Sequence, residues 1–309
     1  MNFKNKTVLI TGGTGFIGSQ LIKSLLAQNV NVICYGRSIN KIKQKFGDTV
    51  IATDTFDRIK TDYIIHAACP TESKIMEHQP VEVIDAVYML TKESLECAKR
   101  NTARYLFLSS MEVYDNLSGF VDETQQGSFD LTNSRSSYPV AKQLAELLVN
   151  SYKNEFGINT CILRLSQIFG PGVSFDDNRF FIFALKKCLF NKDIVLNTTG
   201  DKWHNSCYIV DAVNLILKIL LSNTNETLNI TNEDYCMSIN ELCNKMISLT
   251  KTKSILKHDI AEHTVFRPDS KYKISNEKIR KMFPTYKMET FEYAILATFD
   301  YLKRLSISA

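Results

Sequence analysis

Tyr138-Pro139-Val140-Ala141-Lys142 sets a phenol and an ammonium four residues apart, a spacing that brings both near one face of a helix. A free phenol is protonated at neutral pH, with a pKa of about 10, and bringing it to about 7 takes roughly 4 kcal/mol of preference for the phenolate. A lysine ammonium about 4 Å away supplies about that much at an effective dielectric of about 20. The pair can therefore form a proton donor and acceptor poised near neutrality. The same spacing also occurs in unrelated pairs on helix surfaces. A second stretch, Ser109-Ser110-Met111-Glu112-Val113-Tyr114, directly follows the apolar run Tyr105 to Ser109. A serine at the C-terminus of a parallel strand lies on the sheet edge where ligands bind. Ser110 is thus placed to hydrogen-bond a carbonyl oxygen that Tyr138 protonates.

Those groups need a scaffold and a redox partner, and the N-terminal stretch Thr7 to Ser19 provides for both. Thr7 to Ile10 reads as a short buried strand, Gly12, Gly15 and Gly18 follow at a spacing of three, and Phe16 and Ile17 open a helix continuing through Leu21, Ile22, Leu25 and Leu26. Strand, glycine turn and helix form the first half of a dinucleotide-binding unit. The glycines allow a tight turn and close approach to a pyrophosphate, and the N–H groups at the helix start, from Phe16 onward, meet the phosphates. The spacing is GxxGxxG rather than GxGxxG, and alone it also fits an ordinary strand-to-helix turn. The second strand, Val30 to Tyr35, runs into Gly36, Arg37 and Ser38 with no carboxylate, whereas an NAD site usually holds the ribose there with Asp or Glu. Arg37, helped by Ser38, suits a 2′-phosphate instead, so the expected cofactor is NADP, with NAD as the alternative. A solvated loop arginine is the competing reading. Asp54 is a candidate for the adenine amino group. His66, Ala67 and Ala68 end the fourth strand with small residues past which a nicotinamide ribose fits; His66 itself reads equally well as a satisfied core histidine and receives no catalytic role.

Strands at Val30 to Tyr35, Thr49 to Thr53, Tyr63 to Ala67, Tyr105 to Ser109 and Thr160 to Leu165 alternate with helices at about Ile39 to Phe46, Val81 to Arg100 and Pro139 to Phe156. Such alternation predicts a parallel sheet covered on both faces. Pro139 suits the first turn of its helix, with Ser136 or Ser137 as the cap. After Gly170 helical stretches (Phe180 to Phe190, Val210 to Leu221, Ile239 to Thr250, Thr290 to Leu305) are separated by short extended pieces. The expected fold class is α/β: a Rossmann-type doubly wound parallel sheet with a smaller interleaved C-terminal α/β substrate lobe. The dinucleotide-binding domain spans 1–166 with a return segment about 205–230, and 167–204 and 231–309 form the lobe. The 309 residues are 44% hydrophobic and 23% charged with net charge +4, enough for a large core. Without a basic run, nucleic acid is not an expected partner. No apolar run reaches membrane-spanning length and the start is too short for a signal peptide. Eight cysteines without a CxxC pair read as reduced core thiols of a cytoplasmic protein rather than disulfides or a metal site.

TGGTGFIGS, HAA, SSMEVY and YPVAK, in this order and at these separations, resemble the extended short-chain dehydrogenase/reductase superfamily. Within it the chain resembles the NAD(P)-dependent epimerase/dehydratase family acting on nucleotide sugars, and the likeness covers nearly the whole chain. Leu163 to Gly172 matches the family's LRxxNxYGPG segment with Gln167 in place of Asn; Arg267-Pro268-Asp269 resembles its RPxD segment, and Ser275 to Met282 the helix start that follows. The resemblance implies Ser110, Tyr138 and Lys142 as the catalytic trio and a C-terminal lobe holding a nucleoside diphosphate, with Gln167, Glu112 and Arg267 toward the substrate. It also implies a homodimer through two long helices. Met111 stands where the family's 4,6-dehydratases carry an Asp, so 4,6-dehydration is disfavoured. His204 and Asn205 lie where many members have a phosphate-binding Arg, and Val87 replaces a frequent Asn near the ribose. The implied activity is NADPH-dependent reduction of the C4 ketone of a nucleoside-diphosphate 4-keto-6-deoxyhexose. An NAD-retaining nucleotide-sugar 4-epimerase is the alternative, and a non-catalytic dinucleotide sensor a remote one.

Overall fold

The computed structural model describes residues 3–70, 73–260 and 271–308. Seven strands form the main sheet: β1 Thr7–Thr11, β2 Asn31–Tyr35, β3 Ile51–Thr53, β4 Tyr63–His66, β5 Arg104–Ser110, β6 Thr160–Leu165 and β7 Thr227–Ile230. Helices of eight or more residues are α1 Phe16–Leu26, α2 Ile39–Phe46, α3 Pro80–Asn101, α4 Ser137–Phe156, α5 Phe180–Leu189, α6 Ile209–Leu221, α7 Ile239–Thr250 and α8 Phe291–Ser308. The chain divides into two compact units. The first takes Met1–Asp115, Gln126–Leu165 and Val213–Leu228; the second takes Asn116–Gln125, Ser166–Ala212 and Asn229–Ala309. The return into the sheet unit begins within α6, and ten residues after Asp115 belong to the second unit.

In the first unit the sheet order is β7-β6-β5-β4-β1-β2-β3. Every pair from β6 to β3 is parallel, with Thr11 opposite both Tyr35 and His66 and Ser110 opposite Leu165. β1, β4, β5 and β6 are continuous buried runs, as a sheet covered on both faces requires. The order reverses between β1 and β4, so the β1 and β4 C-termini border the crevice where an open α/β sheet takes a ligand. α3 and α4 pack against each other and the sheet, burying Leu95, Ala98, Ala141, Ala145 and Val149 with Tyr105, Phe107 and Ile162. Small residues on α4 let it lie close to β5. α4 is closed by Gly157 in the left-handed region at φ +68°, the usual C-terminal stop.

The second unit is built from strand pairs too short to form a sheet. Gln167–Phe169 pairs with Ser206–Tyr208 and Gly119–Val121 with Tyr272–Ile274, both parallel; Trp203–His204 pairs antiparallel with Met237–Ser238. α5, α7 and α8 pack on one another. A capping box of Ser238 and Glu241 starts α7. Among the described residues, no helix is long and apolar enough to cross a membrane.

Candidate active site

The glycine turn fits a dinucleotide. Gly12 has φ +71°, and a Cβ there would lie 2.7 Å from the Cα and N of Ala68. A Cβ on Gly18 would run into the Gly12 carbonyl. Side chains at these positions would fill the turn, while Gly15 is exposed and precedes α1 with no side-chain cap. The N–H groups at the start of α1, from Phe16 and Ile17, present the positive end of its dipole. Gly12 thus lies directly against the backbone of Ala67 and Ala68. The Ala68 N–H donates to Thr11 Oγ1 at 3.1 Å, which lies 2.7 Å from His66 Nδ1, while His66 Nε2 lies 3.1 Å from Thr91 Oγ1. Thr91 Oγ1 donates to Val87 O at 2.6 Å, so the chain closes if His66 is neutral with its proton on Nε2. Burial and the nearby Lys142 charge depress its pKa to about 3, and His66 is a satisfied core group. Arg37 and Asp54 are both exposed, at the ends of β2 and β3. Ser38 accepts from the Lys41 N–H at 3.3 Å as the cap of α2. Lys45 of α2, which the motifs do not single out, donates to the Thr14 carbonyl at 2.8 Å and brings a cation to the glycine turn.

Ser110, Tyr138 and Lys142 come together at the end of β5. Ser136 takes the N-cap position of α4, as expected, but its side chain makes no capping hydrogen bond. Ser136 Oγ donates to Asp130 O at 2.7 Å, and a 3-10 turn at Ser134–Ser136, capped by Asn133, leads into the helix instead. Tyr138 is buried among Met76, Val83 and Cys69. Its phenol pKa stands well above 10: burial dominates, the Cys69 and Glu112 charges add to it, and the Ser110 hydrogen bond and Arg135 oppose it. Lys142 is buried and its Nζ donates to Leu108 O at 2.8 Å, 4.6 Å from the Phe107 ring centroid and 6.0 Å from that of Tyr138. The expected poise near pH 7 is therefore not the resting state: the ammonium is held on a carbonyl, and burial keeps the phenol a proton donor.

A network unforeseen in the motifs locks these parts. Glu146, one turn beyond Lys142 on α4, accepts from Ser109 Oγ at 2.5 Å and from Arg164 Nη2 at 2.8 Å and Nε at 3.1 Å. Arg164 lies 4.9 Å from the Tyr114 ring centroid. The side chains of Arg164 and Glu146 are 3% and 4% exposed. The helix with Tyr138, the strand end with Ser110 and the turn after it are thus bound to one buried ion pair. The spacing Tyr138, Lys142, Glu146 was a readable signal on one helix face. A second pair, more open, joins Arg135 Nη2 to Glu112 Oε2 at 2.9 Å.

In the second unit Gln167 Oε1 lies 2.9 Å from Nε2 of buried His204. Burial and the Lys202 charge bring the His204 pKa down to about 4, so this position presents a neutral donor to Gln167, not a cation. Asn205 is fully engaged, donating to Tyr272 O at 2.8 Å and accepting from the Ile274 N–H at 3.0 Å. Its amide ties strands together and is not available to a phosphate. Arg267 lies outside the described residues.

The model of the NAD dependent epimerase/dehydratase family matches residues 8–231. UDP-glucuronic acid decarboxylase 3 of Arabidopsis thaliana is 29% identical over 262 residues, 79% of this chain and 77% of that protein. UDP-glucuronic acid decarboxylase 1 of Xenopus tropicalis is 25% identical over 74% of this chain and 56% of its own length. Among solved structures, UDP-glucose 4-epimerase from Thermotoga maritima with UDP-glucose superposes with a TM-score of 0.84 at 17% identity, covering 97% and 99% of the two chains. UDP-glucuronic acid 4-epimerase from Bacillus cereus with NAD gives 0.79 at 21%, covering 97% of each. These structures share the fold.

Proposed function

Because the chain belongs to the NAD dependent epimerase/dehydratase family, we propose that it transfers hydride at C4 of a nucleoside-diphosphate sugar, with Tyr138 as the acid–base group. The observation that supports this most is the buried Tyr138 phenol, hydrogen-bonded to Ser110 with Lys142 on the next turn of α4. A nicotinamide dinucleotide held on the Gly12 to Gly18 turn supplies the hydride donor and acceptor. Tyr138 gives its proton to the C4 oxygen as a ketone becomes an alcohol, and recovers it in the reverse direction. Ser110 holds the same oxygen. Lys142 keeps a positive charge close enough to favour the phenolate once the proton has left. UDP is the nucleotide supported by the relatives, whose names specify UDP-glucuronic acid and UDP-glucose. The smaller unit takes the nucleoside diphosphate, with Gln167 and Arg267 assigned to it by the family pattern alone.

A second reading is NADPH-dependent reduction of a nucleoside-diphosphate 4-keto-6-deoxyhexose, for example dTDP-4-dehydro-6-deoxyglucose. Two features favour it: Arg37 with no acid at the end of β2, and a phenol that rests protonated. An NAD-retaining 4-epimerase differs from it in the bound nucleotide. Mass spectrometry of nucleotide released from the purified protein separates them: stoichiometric NAD supports C4 chemistry with retained cofactor, and an empty site that fills with NADPH supports the reductase. Tyr138→Phe, which removes one hydroxyl, should lower turnover about 10²–10⁴-fold in either case. Unchanged turnover would refute the proposal.

A further inference from the structure

The open ion pair beside the phenol is assigned no step in the hydride transfer described above. Arg135 stands three residues before Tyr138, its N–H fixed by the Asn133 side chain at 2.9 Å, and its Nη2 donates to Glu112 Oε2 at 2.9 Å. Glu112 is two residues beyond Ser110, and its N–H donates to Ser110 Oγ at 3.2 Å. Both charges therefore flank the two hydroxyls assigned to the C4 oxygen, and both act on the phenol, in opposite directions. The side chains of Arg135 and Glu112 are 21% and 30% exposed, unlike the sealed Arg164–Glu146 pair. A pair this open is held weakly against exchange with a ligand. A guanidinium carries five donors in a fork that matches a carboxylate, and Arg135 uses one of them on Glu112.

We propose that Arg135 receives a carboxylate on the sugar, with Glu112 as the internal group that this carboxylate displaces, so that the substrate is a nucleoside-diphosphate hexuronic acid rather than a neutral hexose. The assignment rests on the reading that places the C4 oxygen at Tyr138 and Ser110. In a hexuronic acid the carboxylate is borne by C5, the carbon next to C4. With O4 at the two hydroxyls, the carboxylate falls a few ångströms away, on the side where the Glu112 N–H meets Ser110 Oγ and Glu112 holds Arg135. A neutral hydroxymethyl group offers nothing that requires a full charge. Glu112, in the ligand-free chain, keeps Arg135 paired and lowers its attraction for stray anions.

Calorimetric titration of Tyr138→Phe protein, in which turnover is slowed about 10²–10⁴-fold, with NAD present and with UDP-glucuronic acid, UDP-glucose and UDP in turn, tests the assignment. UDP-glucuronic acid should bind at least tenfold tighter than UDP-glucose. Adding Arg135→Ala should bring the two to equal affinity while UDP-glucose and UDP change less than twofold, which also reports an intact fold. Adding Glu112→Gln should tighten UDP-glucuronic acid alone. Equal affinities for the two sugars before Arg135 is changed, a uniform loss for all three ligands on Arg135→Ala, or weaker UDP-glucuronic acid binding on Glu112→Gln would each overturn the assignment and leave the C4 reading standing. Failure of all three ligands to bind would overturn the assignment together with the choice of UDP as the nucleotide.

Discussion

Replacing Arg164 with methionine isolates the buried ion pair. The change keeps much of the side-chain volume but removes the forked contact to Glu146, whose carboxylate is 4% exposed. Ser109 Oγ then remains as its hydrogen-bond donor. Removing one partner of a buried pair costs about 3–5 kcal/mol, because the other charge stays uncompensated away from water. With a urea slope of about 2 kcal/mol/M, the unfolding midpoint should fall by about 2 M. The double variant Glu146→Leu with Arg164→Met removes both charges, and such replacements are often neutral or stabilising. It should recover most of the midpoint, so the two single losses should be strongly non-additive. Urea unfolding followed by circular dichroism on wild type, both single variants and the double variant measures this. A loss under about 1 kcal/mol for Arg164→Met, or a double variant losing the sum of the singles, would refute the account of a pair stabilised by mutual compensation.

Arg37→Ala should raise the Michaelis constant for NADPH far more than for NADH, since only NADPH has a 2′-phosphate; equal effects in initial-rate kinetics would remove Arg37 from the site. Because burial holds the Tyr138 phenol well above 10, it remains protonated across the neutral range, and the rate of ketone reduction should show no loss from this group between about pH 6 and 9. A fall with an apparent pKa near 7 would mean instead that Lys142 controls the phenol. Leu144 and Leu147 of α4 and Met89 of α3 are 42%, 63% and 51% exposed, an apolar face that suits a homodimer through these helices; a monomer mass by light scattering at micromolar concentration would contradict it.

Much of the sheet unit was legible because its strands are buried on both faces and read as plain apolar runs: Tyr105 to Ser109 and Thr160 to Leu165 fall inside β5 and β6. The short strands of the second unit, such as Gly119–Val121 with Tyr272–Ile274, are two- or three-residue pairings between distant segments and leave no period to detect. At the site, the glycines and the Tyr138/Lys142 spacing are local signals, and the structure places Ser110 beside Tyr138. The resting charge state of Tyr138 was not legible. Local spacing gives the distance between two side chains on a helix but not the Leu108 carbonyl that holds Lys142, nor the burial that keeps the phenol protonated. Arg164 and Lys45 escaped for the same reason: their partners Glu146 and Thr14 lie 18 and 31 residues away.

The central claim is hydride transfer at C4 with Tyr138 as the acid–base group. Incubating the protein and NAD with UDP-glucuronic acid or UDP-glucose carrying deuterium at C4, then analysing both dinucleotide and sugar by mass spectrometry, tests it most directly. The account predicts deuterium in the nicotinamide when mixtures with enzyme in excess are quenched early, even where the hydride later returns to C4, with the rate in Tyr138→Phe lower by about 10²–10⁴-fold. No deuterium in the nicotinamide at any quench time while the sugars bind, or transfer at an unchanged rate in Tyr138→Phe, would contradict it.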